Sequence, residues 1–166
     1  MANLALVRID ARLIHGQVAT QWIKRTKADR IIIIDQQIGT DPFMSQIMQM
    51  AAPPMTKLQC MTPTQAGEEW QKDQFGPQGT LLCIMRNVPE TYAAYNAGFD
   101  FPELLVGGIG GAPGRINVHG PITLSEDDAK MLAELEGRGL QIFFQSTLDE
   151  SRGNWPDIKK KYYPNL

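Results

Sequence analysis

The sequence predicts a single three-layer α/β/α domain over residues 1–166, with a mainly parallel central sheet. Three observations lead there. Arg30-Ile31-Ile32-Ile33-Ile34-Asp35 holds four consecutive β-branched residues without alternation, the pattern of a strand buried on both faces. Short apolar runs of this kind alternate with helix-length segments along the chain, the order of a sheet covered by right-handed crossover helices. The helical segments carry their own start and stop signals, so the alternation does not rest on hydropathy alone.

Leu4-Ala5-Leu6-Val7 reads as a first strand that runs into a polar patch holding Arg8, Asp10, Arg12 and His15, with Gly16 next. Beyond the glycine the spacing of Val18, Trp22 and Ile23 turns helical over about 17–27. That helix ends on Lys24, Arg25 and Lys27, cations suited to a helix C-terminus. After the isoleucine strand, Asp41-Pro42 supplies an N-cap and a first-turn proline for a helix stopped by Pro53-Pro54.

Lys57 to Met61 is a short strand, and Thr62-Pro63-Thr64-Gln65 caps a helix that continues through Trp70 to about Gly76. Thr80 to Met85 is a buried strand, Pro89 to Ala97 a short helix closed by Gly98, and Glu103 to Val106 a further strand. A glycine-rich segment, 107–115, precedes an extended stretch from Ile116 to Leu124 with a turn at Gly120-Pro121. Ser125-Glu126-Asp127-Asp128 fits a capping box with Asp in place of Glu, and its helix stops at Arg138-Gly139. Leu140 to Gln145 is a last strand, followed by a C-terminal helix or tail from Trp155 to Tyr162.

Composition narrows the function classes. The chain has 43% hydrophobic and 20% charged residues, which describes a globular protein rather than a disordered one. Its 16 basic and 18 acidic residues leave no electrostatic footprint for nucleic acid. Cys60 and Cys83 lie in apolar stretches with no metal-ligand spacing, and read as buried free thiols in a reducing compartment. The Met-Ala-Asn-Leu start lacks a basic region followed by an apolar one, and no run approaches the ~20 residues of a membrane span. A cytoplasmic location is the expectation.

Of the two histidines, His15 is the better placed, in a loop at the C-terminal end of a strand, where open α/β sheets gather ligands. A histidine there serves as metal ligand, general base or nucleophile. No second His or Cys stands at ligand spacing, and no G-x-S-x-G elbow occurs, so metal and serine-hydrolase readings are weak. The remaining role is nucleophilic attack by an imidazole nitrogen on a phosphoryl group. Arg12 would meet its charge with a planar fork, and backbone N–H groups of Leu13, Ile14, Gly16 and Gln17 would cradle its oxygens. Asp10 would either pair with Arg12 or hold the imidazole in one tautomer. The alternative is an ordinary surface loop with a solvated salt bridge, and residue chemistry alone leaves it open.

Other candidates are weaker. His119 reads as a polar strand-end or loop residue. The 107–114 glycines match neither a dinucleotide nor a P-loop fingerprint, so they suggest only a flexible loop beside the active face, with Arg115 within reach of an anion. Arg86 should share the sheet edge of His15, either adding positive potential or standing as a solvated cation. Trp22 and Trp70 read as core.

The stretch Arg8-Ile9-Asp10-Ala11-Arg12-Leu13-Ile14-His15-Gly16-Gln17-Val18 closely resembles the active-site signature of the IIB components of the mannose/fructose/sorbose family of the bacterial phosphotransferase system. The resemblance continues in Asp41-Pro42-Phe43, Met50-Ala51-Ala52-Pro53-Pro54, Val106-Gly107-Gly108, Gly114-Arg115 and Leu124 to Asp128, covering nearly the whole chain in order. It implies the sorbose-type IIB fold, again α/β/α, and the activity of a protein-Nπ-phosphohistidine–sugar phosphotransferase.

In that resemblance His15 accepts a phosphoryl group on Nδ1 from a phosphohistidine of a IIA partner, itself charged by the carrier HPr. The group then passes to a sugar entering through the membrane components IIC and IID. Arg12 would hold the phosphate and Asp10 support the loop, with no cofactor or metal. Such proteins often form dimers, and a place at the inner face of the membrane through IIC and IID follows. Two rivals remain: a non-catalytic module sensing phosphate or a nucleotide, and a histidine phosphatase-like hydrolase, for which no further general acid stands out near His15.

Overall fold

A computed structural model describes residues 2–166, with the side chains of 17–19 outside the described set. Seven strands form one sheet in the order β3-β2-β4-β1-β5-β8-β9. They are β1 (Asn3–Ile9), β2 (Arg30–Ile34), β3 (Lys57–Met61), β4 (Thr80–Met85), β5 (Glu103–Val106), β8 (Gln141–Phe144) and β9 (Gly153–Asn154). All pair in parallel except β9, which runs antiparallel to β8. β6 (Arg115–His119) and β7 (Ile122–Ser125) make a separate antiparallel hairpin around Gly120-Pro121.

Helices cover both faces. α1 (Gly16–Thr26), α2 (Gln36–Gly39) and α3 (Pro42–Met50) lie on one side, while α4 (Pro63–Asp73), α5 (Val88–Asn96), α6 (Glu126–Gly137) and α7 (Trp155–Tyr162) lie on the other. The isoleucine run shows why. Ile31 and Ile33 join the cluster that includes Leu13, Ile23 and Ile38, and Ile32 and Ile34 join the one that includes Phe99, Leu132 and Trp155. Successive strand side chains point to opposite faces, so a strand with apolar cover on both sides has no position left for a polar residue.

The capping chemistry also holds. Ser125 and Asp128 form a reciprocal box at the start of α6, Thr62 and Gln65 another at α4, and the Asp41 side chain accepts from Phe43 and Met44 N–H. Two small elements carry no periodic signal and are absent from the sequence reading. α2 is a single turn capped by the buried Asp35, and β9 is two residues pinned to the end of β8. Both are too short for a hydrophobic repeat and arise from contacts with neighbours distant in the chain.

β1 sits between β4 and β5, with Ile9 opposite both Met85 and Val106. The residues that follow these strands, Asp10, Arg86 and Gly107, therefore share one C-terminal edge of the sheet.

Candidate functional site

The loop from Asp10 to His15 is held by its backbone before any side chain is considered. Asp10 N–H donates to Met85 O (2.9 Å), Ala11 N–H to Gly108 O (2.8 Å) and Leu13 N–H to Asp10 O (2.9 Å), which bolts the loop to both neighbouring strand ends. One Asp10 carboxylate oxygen accepts the Arg12 N–H at 3.1 Å, closing the turn. Leu13 sits at φ 55° and is buried in the cluster under α1, where apolar packing offsets the cost of the left-handed backbone. Gly16 follows at φ 33°, a region costly for a side chain, and starts α1.

His15 is the N-cap of α1 yet its ring makes no hydrogen bond to that helix. It turns back instead: Nε2 lies 3.2 Å from Asp10 Oδ2. A carboxylate is acceptor-only, so in the neutral ring the proton belongs on Nε2, and the Nδ1 lone pair is the one left for chemistry. The ring stays partly open to solvent, with a side-chain exposure of 19%.

Asp10 is 3% exposed and takes its balancing charge from Arg8, whose Nη2 stands 3.7 Å from the same Oδ2. The sequence motif contains Arg8 but points to no role for it. It is itself buried. Its guanidinium donates to Gln145 O (2.8 Å) and Ser146 O (2.7 Å) and lies over the Trp22 ring, 4.5 Å from the centroid. Burial brings its pKa down to about 10, with Asp10 pulling it back up, so it is a cation at neutral pH. The signal for it was available: a charged residue at a strand position flanked by buried Val7 and Ile9 needs a partner.

The other expected residues divide. Arg12 is exposed, and among the described residues its guanidinium has no carboxylate partner. Asp10 bonds its backbone, not its side chain, so of the two arrangements open to Asp10 the carboxylate faces the imidazole and does not pair with the Arg12 guanidinium. Leu13 does not offer its N–H to an anion, because Asp10 O already accepts it. Ile14 is half-buried against the α1-side core, and Gly16 opens the first turn of α1, whose N–H groups lack intrahelical acceptors. Gln17 follows in that turn, and its side chain, like that of Val18, falls outside the described residues.

Two arginines expected near the site are committed elsewhere. Arg86 Nε donates to Asp35 Oδ1 at 2.5 Å, so its charge is opposed by a buried carboxylate although its side chain stays 35% exposed. Asp35 is 1% exposed and requires that counter-ion. Nearby Glu90 has its pKa raised, chiefly by burial and further by Asp35. Arg115 does not reach an anion at the active face. It bonds Asp128 Oδ2 (2.6 Å) and the Thr123 hydroxyl (3.0 Å), because the carboxylate of the α6 capping box is within its reach. The start of the glycine-rich segment is tied down, with Gly107 N–H on Ile9 O and the Thr123 hydroxyl on Gly110 O. His119 bonds Ser151 O through Nε2, in keeping with a strand-end residue. Among the described residues no group of three or more His, Cys, Asp and Glu side chains comes together as a metal cage.

The family model described as the PTS system sorbose subfamily IIB component matches residues 4–164. The chain is 28% identical over 139 residues to the sorbose-specific EIIB component of Lacticaseibacillus casei, covering 84% of each. It is 26% identical over 158 residues to the mannose-specific EIIAB component of Escherichia coli, covering 95% of this chain and 49% of that one. It thus spans about half the length of the mannose-type relatives. In structure it resembles manxB from Thermoanaerobacter tengcongensis, with a TM-score of 0.87 at 31% identity over 99% of both chains.

Proposed function

The chain belongs to the sorbose subfamily of phosphotransferase-system IIB components, and from that premise we propose that it is a phosphoryl relay with His15 as the covalent carrier. The observation that carries this is the 3.2 Å contact from His15 Nε2 to Asp10, which reserves Nδ1 as nucleophile at the N-terminus of α1.

The first step is attack by the Nδ1 lone pair on the phosphorus of a phosphohistidine on a IIA partner. A new N–P bond forms on His15, the donor's N–P bond breaks, and its electron pair returns to the donor imidazole. In the second step a sugar hydroxyl oxygen attacks the same phosphorus. The N–P bond on His15 breaks, its electron pair returns to Nδ1, and the hydroxyl proton is released to solvent, which restores the neutral Nε2–H ring. Positioning and charge stabilisation supply the catalysis, as is general for phosphoryl transfer. Arg12 is the exposed cation that meets the transferring oxygens. The first-turn amides of α1 and its dipole add positive potential at the same place. The donor is already an activated phosphoramidate-type species, so the chemistry asks for no nucleotide or metal.

The acceptor belongs to the class of sugars named for the relatives. IIC and IID would hold the sugar and bring this protein to the inner face of the membrane. The test is labelling by a charged IIA partner. The wild-type chain takes up an acid-labile, alkali-stable phosphoryl group and His15→Ala takes up none. Undiminished labelling of His15→Ala sinks the proposal. Reversible phosphate binding without any covalent label favours a sensor, and steady release of inorganic phosphate favours a hydrolase.

A further inference from the structure

We infer that Arg8 is a positioning residue for His15, acting through Asp10 and tying the loop after β8 to the nucleophile. The inference rests on the phosphoryl-carrier reading above. Arg8 and Asp10 are two residues apart at the end of β1. Arg8 never reaches the reacting atoms, yet it is clamped on every side. The Trp22 ring lies under its guanidinium, and the carbonyls of Gln145 and Ser146 take its two terminal nitrogens. Gly107 closes the remaining side, where an added Cβ would lie 2.3 Å from Arg8 Cζ. The loop that supplies the carbonyls is itself framed, for Glu150 Oε2 accepts from Ser146 N–H (3.0 Å) and Thr147 N–H (3.2 Å).

So fixed, Arg8 places its Nη2 3.7 Å from the Asp10 oxygen that faces His15 Nε2. A carboxylate this buried needs an opposing charge to serve as an acceptor-only partner. As that partner it accepts the hydrogen bond from Nε2–H, and Nδ1 is left bare. The order of contact is therefore loop carbonyls, Arg8, Asp10, His15.

The experiment compares Arg8→Met, which keeps an apolar stem against Trp22 but removes the charge, with Arg8→Lys, which keeps the charge. Imidazole ¹⁵N shifts report the His15 tautomer, and phosphoramidate serves as a small P–N donor for the rate. The wild-type ring is expected as the single Nε2–H tautomer. Arg8→Met should mix the tautomers and slow phosphorylation roughly 10- to 100-fold at unchanged KM, the scale of a misplaced reacting group. Arg8→Lys should recover the tautomer and part of the rate. An unaltered tautomer in Arg8→Met, or no recovery in Arg8→Lys, overturns the inference.

Should Arg8→Met fail to fold, the substitution is repeated in an Asp10→Asn background, where no buried carboxylate is left unpaired. There it should cost no further rate, and an additional loss would refute action through Asp10. The tautomer is read without any phosphorylation. A wild-type chain that accepts no phosphoryl group therefore defeats the carrier reading alone and leaves the role of Arg8 to the ¹⁵N shifts.

Discussion

His15 Nε2 faces Asp10 Oδ2 at 3.2 Å, although His15 occupies the N-cap of α1 and a cap side chain ordinarily serves its own helix. The ring is thus withdrawn from capping and spent on orientation. The His15 side chain does not cap the first-turn amides of α1, which lie beside a nitrogen whose lone pair is directed away from the carboxylate. On the proposed relay function, one choice of partner would prepare both the nucleophile and a seat for its phosphoryl group.

Arg12→Ala separates catalysis from folding. The side chain is exposed and has no carboxylate partner among the described residues. Stability by chemical denaturation should change by no more than about 0.5 kcal/mol, as at other surface positions. Phosphoryl acceptance should fall about 100-fold, the scale for losing one charge-stabilising donor. Equal acceptance by the variant would leave Arg12 without a role.

Gly107→Ala tests the clamp on Arg8 from its other side. The new methyl would overlap the guanidinium carbon and both of its terminal nitrogens, which are held by carbonyls and cannot swing aside cheaply. Overpacking of this kind costs about 1–3 kcal/mol. Denaturation midpoints should fall accordingly, and acceptance by His15 should slow with them. Gly110→Ala, where a Cβ meets nothing within 4 Å, is the control and should do neither.

Arg115→Ala should do the opposite of Arg12→Ala. It strands Asp128, 5% exposed, without its counter-ion and loosens the hold on Thr123. The pair is partly solvated, so the loss should be about 2–3 kcal/mol, somewhat below that of a fully buried pair. Phosphoryl acceptance, measured at a temperature where the variant is folded, should be unchanged. A selective loss of acceptance would return Arg115 to the active face.

The layers of the fold were legible because burial on two faces and helix caps are local properties. Ile31 to Ile34 announces a covered strand, and Ser125 with Asp128 announces the start of a helix, whatever the rest of the chain does. The same local logic misses the outer face of α3. Phe43, Ile47 and Met50 follow a helical spacing, yet Phe43 is 69% and Met50 80% exposed, since periodicity reports an apolar face and not whether anything covers it.

By itself, then, the sequence determined the layered α/β architecture and the loop that carries His15, because hydrophobic period and turn chemistry act over a few residues. Only the tertiary structure decided who pairs with whom. Asp10 went to His15 and Arg8 rather than to Arg12, Arg86 to Asp35, and Arg115 to Asp128. Arg8 finds its carbonyls 137 and 138 positions along the chain. A buried charge must find a partner, but which one depends on strand order and register, and those are properties of the assembled sheet.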